Sequence, residues 1–377
     1  MGAQVSNREE FSLYPISANP SLGSLGWDDA WAAALADLGD ASLRPARVSR
    51  VDRGMCTAMT GTAEIRLATP RGLQVTVGDW VGVEPGPTAD TRPRIGAVLP
   101  RRGVFRRSTG SGANSEQIVA ANIDTVFVCD ALDASLSIRH LERFLVLAFQ
   151  SGATPVVVIT KSDAVTPAAA AEAVEAVKAV AEGVSVVVVS STTGEGISDI
   201  APLLIPGRTV ALLGLSGAGK STLANLLAGS DILATGAVRR DGTGRHTTTH
   251  RQLVVLPGGS LLIDTPGMRA LSVLGAAEGV EQAFNDLEEL AGGCRFTDCS
   301  HSGEQGCAIA EAIADGHLDA RRLESWLALR AEPTSSHLDA ARRGVAERKL
   351  RKATKFADRR DAKSSPPEPD SAAAAQP

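Results

Sequence analysis

The feature that most constrains the fold of this chain is a glycine-rich segment at 214–221, which matches the pattern GxxxxGK[ST]. An apolar run at 209–213 precedes this segment, and apolar residues at helical spacing follow it. The pattern indicates phosphate binding in this context of strand, loop and helix. Glycines let successive backbone N–H groups face phosphate oxygens, and the following helix contributes the positive end of its dipole. The segment therefore predicts a nucleoside triphosphate site.

Two side chains of this segment have specific expected roles. Lys220 is expected to reach the outer phosphates, and the hydroxyl of Ser221 is expected to ligate Mg²⁺. The residues predicted to hold the nucleotide here are Gly214, Leu215, Ser216, Gly217, Ala218, Gly219, Lys220, Ser221 and Thr222.

The surrounding sequence predicts an α/β domain. Apolar runs expected to form strands lie at 125–129, 155–159, 184–189, 209–213, 251–256 and 260–263. Helices are expected at 138–150 and 166–182, and further along the chain at 308–331. Strands that alternate with helices at this interval indicate a largely parallel sheet with helices on both faces.

A second motif follows the strand predicted at 155–159. Its residues, Thr160, Lys161, Ser162 and Asp163, resemble the [NT]KxD motif with which GTPases recognise guanine. An ionised Asp163 can accept hydrogen bonds from both the ring N–H and the exocyclic amine of guanine, whereas adenine offers no such donor pair. The next strand ends before Ser190 and Ser191, which begin a segment similar to the GTPase loop that supports the base. These motifs predict specificity for guanine nucleotides.

The order of these motifs is unusual. Ordinary GTPases place the phosphate loop before the base-recognition loops, whereas here 160–163 and 190–196 precede 214–222. A sheet can still close with this order, because the chain termini can move to another surface loop without altering the strand contacts. The sequence therefore predicts a circularly permuted GTPase domain.

Candidate catalytic residues lie beyond the phosphate loop. Asp264 follows an apolar strand, where P-loop enzymes place a carboxylate that holds Mg²⁺, and Gly267 is positioned to face the γ-phosphate. Thr248 or a neighbouring threonine in the expected first switch segment is the candidate Mg²⁺ ligand, and His246 is a candidate catalytic group. Because Met268 occupies the position of the water-orienting glutamine of Ras-like enzymes, we expect slow intrinsic hydrolysis that an outside partner stimulates.

Three cysteines and a histidine within 14 residues form a candidate metal site: Cys294, Cys299, His301 and Cys307. Three thiolates and one imidazole suit tetrahedral Zn²⁺, and four protein ligands leave no open position for catalysis. We therefore predict a structural zinc ion. The irregular spacing leaves a redox cluster or unrelated cysteines as alternatives. Cys56 and Cys129 lie elsewhere in the chain and are expected to be buried apolar residues.

Two further segments are rich in cations. The segment 44–100 alternates short apolar and polar runs broken by turns, which predicts a small β-barrel. Its arginines either hold RNA or form a solvated surface, and charge alone does not decide between the two. The arginines in and just after it are Arg47, Arg50, Arg53, Arg71, Arg92, Arg94, Arg101, Arg102, Arg106 and Arg107. The segment 342–363 leaves the same alternatives open, because it carries ten cations against three acids.

Composition limits the remaining classes. A net charge of −5 gives no overall nucleic-acid signature. No apolar run approaches the roughly 18 residues needed to span a bilayer. Five cysteines are too few and too clustered for a disulfide framework. We therefore expect a cytoplasmic protein that does not associate with membranes. We also expect a monomer.

TKSD before GLSGAGKST, followed by GRHTTTH, DTPG and the cysteine–histidine cluster, closely resembles the bacterial ribosome small-subunit-dependent GTPase A family over about residues 40–330. The resemblance implies an OB-fold barrel, a circularly permuted GTPase domain and a helical zinc-binding domain. It also implies a role in late maturation of the small ribosomal subunit, with GTP hydrolysis stimulated by that particle. GTP with Mg²⁺ would lie at 160–163 and 214–222, and the barrel and zinc domain would contact rRNA. Thr160 replaces an asparagine of the motif, so we expect a slightly looser base loop.

The expected organisation has six parts. They are a weakly structured extension at 1–40 that ends in a short helix at 27–38, a barrel at 41–104, a linker at 105–118, the GTPase domain at 119–275, a zinc-binding helical domain at 276–335, and a basic, then disordered tail at 336–377. Two other functions remain as hypotheses. One is a passive RNA-binding protein with a structural nucleotide site, and the other is a P-loop ATPase or kinase, against which Asp163 argues.

Overall fold

The computed structural model describes residues 21–86, 91–108, 116–132, 136–232, 251–264 and 277–331. Within these ranges the chain forms thirteen strands and nine α-helices. His246, Thr248, Gly267 and the basic segment 342–363 lie outside the described residues.

The strands are β1 (Arg44–Asp52), β2 (Met55–Met59), β3 (Glu64–Ala68), β4 (Trp80–Glu84), β5 (Arg94–Val98), β6 (Val104–Ser108), β7 (Glu116–Ala121), β8 (Thr125–Ala131), β9 (Thr154–Thr160), β10 (Ser185–Val188), β11 (Thr209–Leu213), β12 (Gln252–Val255) and β13 (Leu261–Asp264). The helices are α1 (Asp29–Ala36), α2 (Ile138–Gln150), α3 (Pro167–Lys178), α4 (Ile197–Ile200), α5 (Lys220–Ala228), α6 (Ala277–Ala283), α7 (Asn285–Gly292), α8 (Ala308–Ala314) and α9 (Ala320–Ala331). None of the described helices is long and apolar enough to span a membrane.

Strands β1 to β5 close into a five-stranded barrel. They pair in the order β1-β2-β3-β5-β4, and β4 pairs back onto β1. All of these pairs are antiparallel except β3 with β5. The inner face buries Ala46, Val48, Cys56, Ala58, Leu67, Val81, Val83 and Ile95. Five strands closed in this way form an OB-fold barrel, which confirms the prediction.

Strands β8 to β13 form the α/β part in the spatial order β10-β9-β8-β11-β13-β12. The first five strands in this order are parallel, whereas β12 is antiparallel to β13. All five residues of β11 are buried, as in strands whose two faces are both covered. The predicted, largely parallel sheet is therefore confirmed. Because the carboxyl ends of parallel strands meet at one edge, the loops that follow β9, β10 and β11 lie along that edge, together with the last residue of β13.

The sequence signals for α3 act locally as expected. The side chain of Thr166 accepts a hydrogen bond from the backbone N–H of Ala169 at 3.3 Å, and Pro167 opens the first turn. Proline is tolerated there because the N–H it lacks would have no partner within the helix. α3 ends at Lys178, a few residues before the predicted end at 182.

Two segments differ from the sequence expectations. The ends of the expected linker at 105–118 are strands, because β6 and β7 pair antiparallel and bury Phe105 and Val119. The expected single helix over 308–331 is broken between α8 and α9, so that prediction is wrong. Gly316 adopts a φ of +75° after α8 ends, and the carboxylate of Asp319 accepts from the backbone N–H of Arg321 at 2.9 Å as α9 begins. Glycine after a helix and aspartate before one are ordinary stop and start signals.

The described part of the N-terminal extension is packed against the rest of the chain. α1 spans Asp29–Ala36, which is shorter than the helix expected at 27–38. Leu25 is fully buried and Trp31 is 3% exposed, so residues 21–36 are not weakly structured as the sequence suggested. The physical reason is apolar burial, because a short segment with three leucines and two tryptophans can gain enough contact area to become ordered.

Candidate functional site

The phosphate loop connects β11 to α5. Gly214 has a φ of +147°, and a Cβ atom there would lie 2.2 Å from the carbonyl oxygen of Cys129, so only glycine fits. Gly217 and Gly219 adopt φ values of +89° and +71°. Left-handed residues interspersed with ordinary ones produce concave loops of backbone N–H groups that bind anions. The loop therefore has the backbone geometry that a chain of phosphates requires.

Lys220 is the first residue of α5 and folds back over the phosphate loop. Its Nζ atom donates to the carbonyl oxygen of Gly214 at 2.9 Å and to that of Leu215 at 2.5 Å. An ammonium group here adds a full charge to the positive dipole end of the helix. The combination fits the β- and γ-phosphates of a nucleoside triphosphate.

The predicted base-recognition loop after β9 is held by the loop after β10. The hydroxyl of Ser190 donates to Asp163 Oδ1 at 2.6 Å, and Ser190 itself is fully buried. Ser190 Oγ also accepts from the backbone N–H groups of Thr192 at 3.2 Å and Thr193 at 3.0 Å. The carboxylate of Asp163 is therefore fixed in orientation by Ser190, while Asp163 itself is exposed to solvent. This arrangement suits a carboxylate that must meet the edge of a base.

Thr160 connects the base-recognition loop to the phosphate loop. Its side chain is 1% exposed, and its hydroxyl lies 3.1 Å from the carbonyl oxygen of Ala218 and 3.2 Å from that of Asp130. The single hydroxyl proton can serve one of these acceptors at a time. The threonine thus keeps a direct contact between the two loops at the position where the sequence led us to expect a looser loop. Lys161 follows with a φ of +59°, which turns the chain sharply after the strand.

Two hydroxyl groups in these loops are buried without a hydrogen-bond partner among the described residues, Ser162 Oγ and Ser191 Oγ. A buried hydroxyl that makes no hydrogen bond costs about 1–3 kcal/mol. Such groups on both base-recognition loops fit a ligand with several polar atoms, and a nucleoside has them.

Substitution of Asp163 by asparagine tests guanine recognition. Asp163→Asn is expected to weaken GTP binding by about 10- to 100-fold, because hydrogen bonds to a charged acceptor contribute roughly 1.5–3 kcal/mol. The preference for GTP over ITP, which lacks the exocyclic amine, should shrink as well. Competition titrations with a fluorescent guanine nucleotide measure both effects. Asp199→Asn is the matched control, since Asp199 is an exposed aspartate of α4. An unchanged GTP-to-ITP preference in Asp163→Asn would remove this residue from base recognition.

Asp264 lies beside the phosphate loop through the sheet. It is the last residue of β13, and the residue before it, Ile263, pairs with Ala211 of β11. The structure therefore brings the backbone of Asp264, the phosphate loop and both base-recognition loops to one edge. Gly267, Thr248 and His246 lie outside the described residues, so their predicted roles remain predictions.

The four predicted metal ligands come together in one cluster. The ligand atoms of Cys294, Cys299, His301 and Cys307 all lie within 4.8 Å of one another. His301 Nδ1 is 3.6 Å from the Sγ atoms of both Cys294 and Cys307. Tetrahedral zinc with ordinary Zn–S and Zn–N bonds would place such atoms about 3.6 Å apart. The donor set and its dimensions fit a four-coordinate metal ion.

Backbone and aromatic contacts support this cluster. His301 adopts a left-handed φ of +60°, which places its imidazole toward the cysteines. Cys307 precedes α8, and its Sγ atom accepts from the backbone N–H of Ala310 at 3.4 Å. The ring of Trp326 from α9 lies 5.4 Å from the imidazole and is fully buried. A metal ion here would thus join the segment 294–307 to α8 and α9.

Sequence reasoning missed a buried ionic contact between the helices around the cysteine–histidine cluster and the α/β part. Arg322 of α9 is 6% exposed and forms ion pairs with Asp286 of α7 at 2.6 Å and Glu142 of α2 at 3.1 Å. It also donates to the carbonyl oxygen of Val180 at 3.1 Å. Burial raises the pKa of the Glu142 carboxyl group, and the arginine opposes this effect. Removing one partner of such a buried pair destabilises a protein strongly.

Comparisons with known proteins agree with these sites. A family model described as RsgA GTPase matches residues 98–274. A small ribosomal subunit biogenesis GTPase RsgA from Streptomyces coelicolor is 47% identical over 325 residues, which cover 84% of this chain and 87% of that protein. The protein of the same name from Opitutus terrae is 43% identical over 83% of this chain and 89% of its own length.

Solved structures show the same fold. YjeQ from Thermotoga maritima matches with a TM-score of 0.58 at 25% identity, covering 76% of this chain and 97% of that one. YloQ, a circularly permuted GTPase, matches with a TM-score of 0.56 at 22% identity, covering 77% of this chain and 94% of that one. The predicted circular permutation and the predicted fold class are therefore confirmed. This chain belongs to the RsgA GTPase family and is a circularly permuted GTPase with a five-stranded barrel and a cysteine–histidine cluster that can hold a metal ion.

Proposed function

We propose that this protein hydrolyses GTP to GDP and phosphate as an assembly factor in late maturation of the small ribosomal subunit, and that this particle stimulates the hydrolysis. One observation carries the proposal. The loops at 160–163, 190–196 and 214–221 meet at one sheet edge in a chain 47% identical to a small ribosomal subunit biogenesis GTPase. We further propose that the protein is a cytoplasmic monomer.

The residues at this edge have distinct proposed roles. Lys220 and the loop N–H groups bind the outer phosphates, while Asp163, oriented by Ser190, recognises guanine. Ser221 and Asp264 would hold Mg²⁺, which would neutralise part of the phosphate charge. The remaining proposed nucleotide contacts are Thr160, Lys161, Ser162, Ser191, Gly214, Leu215, Ser216, Gly217, Ala218, Gly219 and Thr222.

The catalytic step is proposed to need groups from the switch segments. Thr248 would complete the Mg²⁺ ligands, Gly267 would donate its N–H to the γ-phosphate, and His246 would contribute to water activation. Met268 offers no hydrogen bond to water, which supports slow turnover of the protein alone. A catalytic contribution supplied or ordered by the ribosomal particle would then account for stimulation.

We propose zinc as the metal of the cysteine–histidine cluster. We also propose that the domains of the chain have the limits expected from the sequence. Soft thiolate ligands with one imidazole favour zinc over magnesium or calcium. Four protein ligands leave no position for a substrate, so the ion would stabilise the fold of 276–335. Its chemistry supports structure and not hydrolysis.

The barrel is the proposed contact surface for rRNA. Arg47 is buried and Arg101 is mostly buried against an acid, so these two candidate arginines do not face RNA. Arg102 is paired with an acid but is exposed. Arg53, Arg71 and Arg92 are exposed and remain candidates for phosphate contacts. The predicted zinc domain is a poorer surface for RNA than the family resemblance implied. Its described residues, 277–331, carry eleven acids against four cations apart from histidine.

Co-sedimentation tests the proposed partner. The protein with a non-hydrolysable GTP analogue should pellet with small ribosomal subunits and should bind less tightly with GDP. Large subunits at the same concentration and ionic strength are the control, because both particles present RNA phosphates. Equal binding to both subunits, or equal binding in both nucleotide states, would contradict the proposal.

A further inference from the structure

The N-terminal segment 21–36, here named the strap, lies across three parts of the chain. It contacts the barrel, the connection between β5 and β6, and the loop that leads into β11. β11 in turn ends at Leu213, immediately before the phosphate loop. The strap therefore sits where the barrel meets the GTPase sheet.

Backbone packing fixes the strap at two glycines. Gly26 has a φ of +88°, and a Cβ atom there would lie 2.4 Å from the carbonyl oxygen of Gly207, just before β11. Gly61, in the turn between β2 and β3, lies so close to the strap that its Cβ atom would be 2.7 Å from the backbone nitrogen of Leu22. Contacts this close between backbones are possible because neither glycine has a side chain.

Aromatic and ionic contacts hold the strap along the barrel. The rings of Trp27 and Trp31 lie 4.8 and 6.3 Å from the ring of Trp80 on β4. Asp28 forms a bidentate ion pair with Arg102, in which both N–H···O hydrogen bonds are 2.6 Å long. The Arg102 guanidinium lies 4.1 Å from the centre of the Trp31 ring. These hydrogen bonds from Arg102 lower the pKa of Asp28 to about 2, so the ion pair persists through neutral pH.

Arg47 connects the strap, the barrel and the GTPase sheet with one side chain. It belongs to β1, is 2% exposed, and donates to the carbonyl oxygen of Leu25 in the strap. Its other amino group donates to the carbonyl oxygen of Asn122 at 3.1 Å and to Thr209 Oγ1, the start of β11, at 2.7 Å. Burial lowers the pKa of Arg47 to about 10, which leaves the guanidinium charged at neutral pH.

Direct strand pairing between the barrel and the sheet is slight. β1 and β12 share a single pair of residues, Arg50 with Gln252. Buried apolar side chains join the two parts as well, because Trp80 of the barrel and Ile263 of the sheet belong to one cluster that also contains Leu25 and Trp31 of the strap. The strap and Arg47 add apolar burial and charged hydrogen bonds to this junction, so they restrict motion of the barrel relative to the sheet.

We propose that the strap is a clamp that holds the barrel in one orientation on the GTPase sheet, and that this fixed orientation lets a partner bound to the barrel stimulate GTP hydrolysis. The coupling part rests on the proposed function. The path is short, because Arg47 contacts the first residue of β11 and the phosphate loop follows the last residue of that five-residue strand. Rigid packed elements carry energetic coupling between sites in this way.

Gly26→Ala tests the clamp, and Gly39→Ala is its matched control. Both glycines have positive φ, +88° and +70°, so both substitutions strain the backbone alike. Only the Gly26 substitution also drives a methyl group into Gly207, because nothing lies within 4 Å of a Cβ atom at Gly39. Gly26→Ala is expected to reduce the stimulation of hydrolysis by small subunits about fivefold or more, with basal hydrolysis within about twofold of wild type. Gly39→Ala should retain the stimulation.

Tryptophan fluorescence shows whether the strap has moved. Three of the four tryptophans, Trp27, Trp31 and Trp80, belong to the strap or touch it, and Trp326 is unchanged in every variant. Acrylamide quenching should rise in Gly26→Ala and stay at the wild-type level in Gly39→Ala. Trp31→Ala, which removes the buried anchor, is a second variant with the same expected loss of stimulation.

Two results would overturn the clamp. One is increased quenching in Gly26→Ala while stimulation stays at the wild-type level, and the other is wild-type stimulation in both Gly26→Ala and Trp31→Ala. Failure of the proposed function looks different, because small subunits would then not stimulate the wild-type protein at all. Normal stimulation of wild type and of both variants would contradict the clamp and leave the proposed function standing.

Discussion

Lys220→Ala is expected to lower kcat/KM for GTP by about 10²- to 10³-fold, the usual effect of removing one well-placed group that stabilises transition-state charge. The Nζ atom lies over the phosphate loop, within 2.9 Å of the Gly214 carbonyl oxygen and 2.5 Å of that of Leu215. Negative charge shifts among the phosphate oxygens during hydrolysis, and a fixed ammonium group stabilises that charge without reorganisation. Single-turnover hydrolysis measures the effect on the chemical step, and nucleotide titration measures the effect on GTP binding.

A matched lysine controls for the loss of charge. Lys178 is an exposed residue of α3 that pairs with Glu175 at 2.9 Å, and Lys178→Ala should leave hydrolysis unchanged. Lys220→Ala should also melt near the wild-type temperature, because its hydrogen bonds are to carbonyl oxygens of a surface loop. A rate within about tenfold of wild type would contradict the assignment of this loop as the phosphate site.

Cys307→Ser is expected to remove the metal ion and disorder the segment that contains the cluster. Cys307 is 1% exposed and both lines the cluster and caps α8, so its loss breaks the metal site and the helix start together. Structural zinc contributes apparent binding free energies of about 10–16 kcal/mol, which far exceeds the stability that a small helical segment has by itself. Zinc per chain should fall from about one to near zero. Trp326, buried beside His301, should become exposed to acrylamide.

Substitutions at the two cysteines outside the cluster separate metal loss from general damage. Cys56 and Cys129 are buried in the barrel and beneath the phosphate loop, away from the cluster. Cys56→Ser and Cys129→Ser should retain zinc even where they reduce stability. Equal zinc content in Cys307→Ser and wild type, measured by elemental analysis of the purified proteins, would contradict the metal site.

The sequence revealed the functional loops because their signals are local. Glycine spacing in 214–221, TKSD after an apolar strand, and four metal-binding residues within 14 positions each lie within one short segment. The strand-and-helix alternation then placed the first two at the carboxyl edge of a parallel sheet. The parallel topology then predicted that the two loops lie close together, since residues that follow parallel strands share an edge of the sheet.

The contacts between domains could not be inferred in the same way. Arg47 meets residues 75 and 162 positions away, and Arg322 meets Glu142 across 180 positions. An arginine in a cation-rich segment has the same sequence signature whether it faces solvent or is buried with partners. The break between α8 and α9 could have been predicted, because Gly316 is a helix stop signal and Asp319 is a helix start signal. The apolar residues continue at helical spacing on both sides of the break, which favoured one long helix.

The most direct test of the central claim is the rate of GTP hydrolysis by the purified protein alone and with added small ribosomal subunits. Slow turnover alone, raised at least about tenfold by small subunits and not by large ones, is the expected result, since a partner that completes a GTPase site typically gives far more. Lys220→Ala should abolish that stimulated turnover. Hydrolysis that is the same with and without small subunits would contradict the proposed role in maturation of that particle.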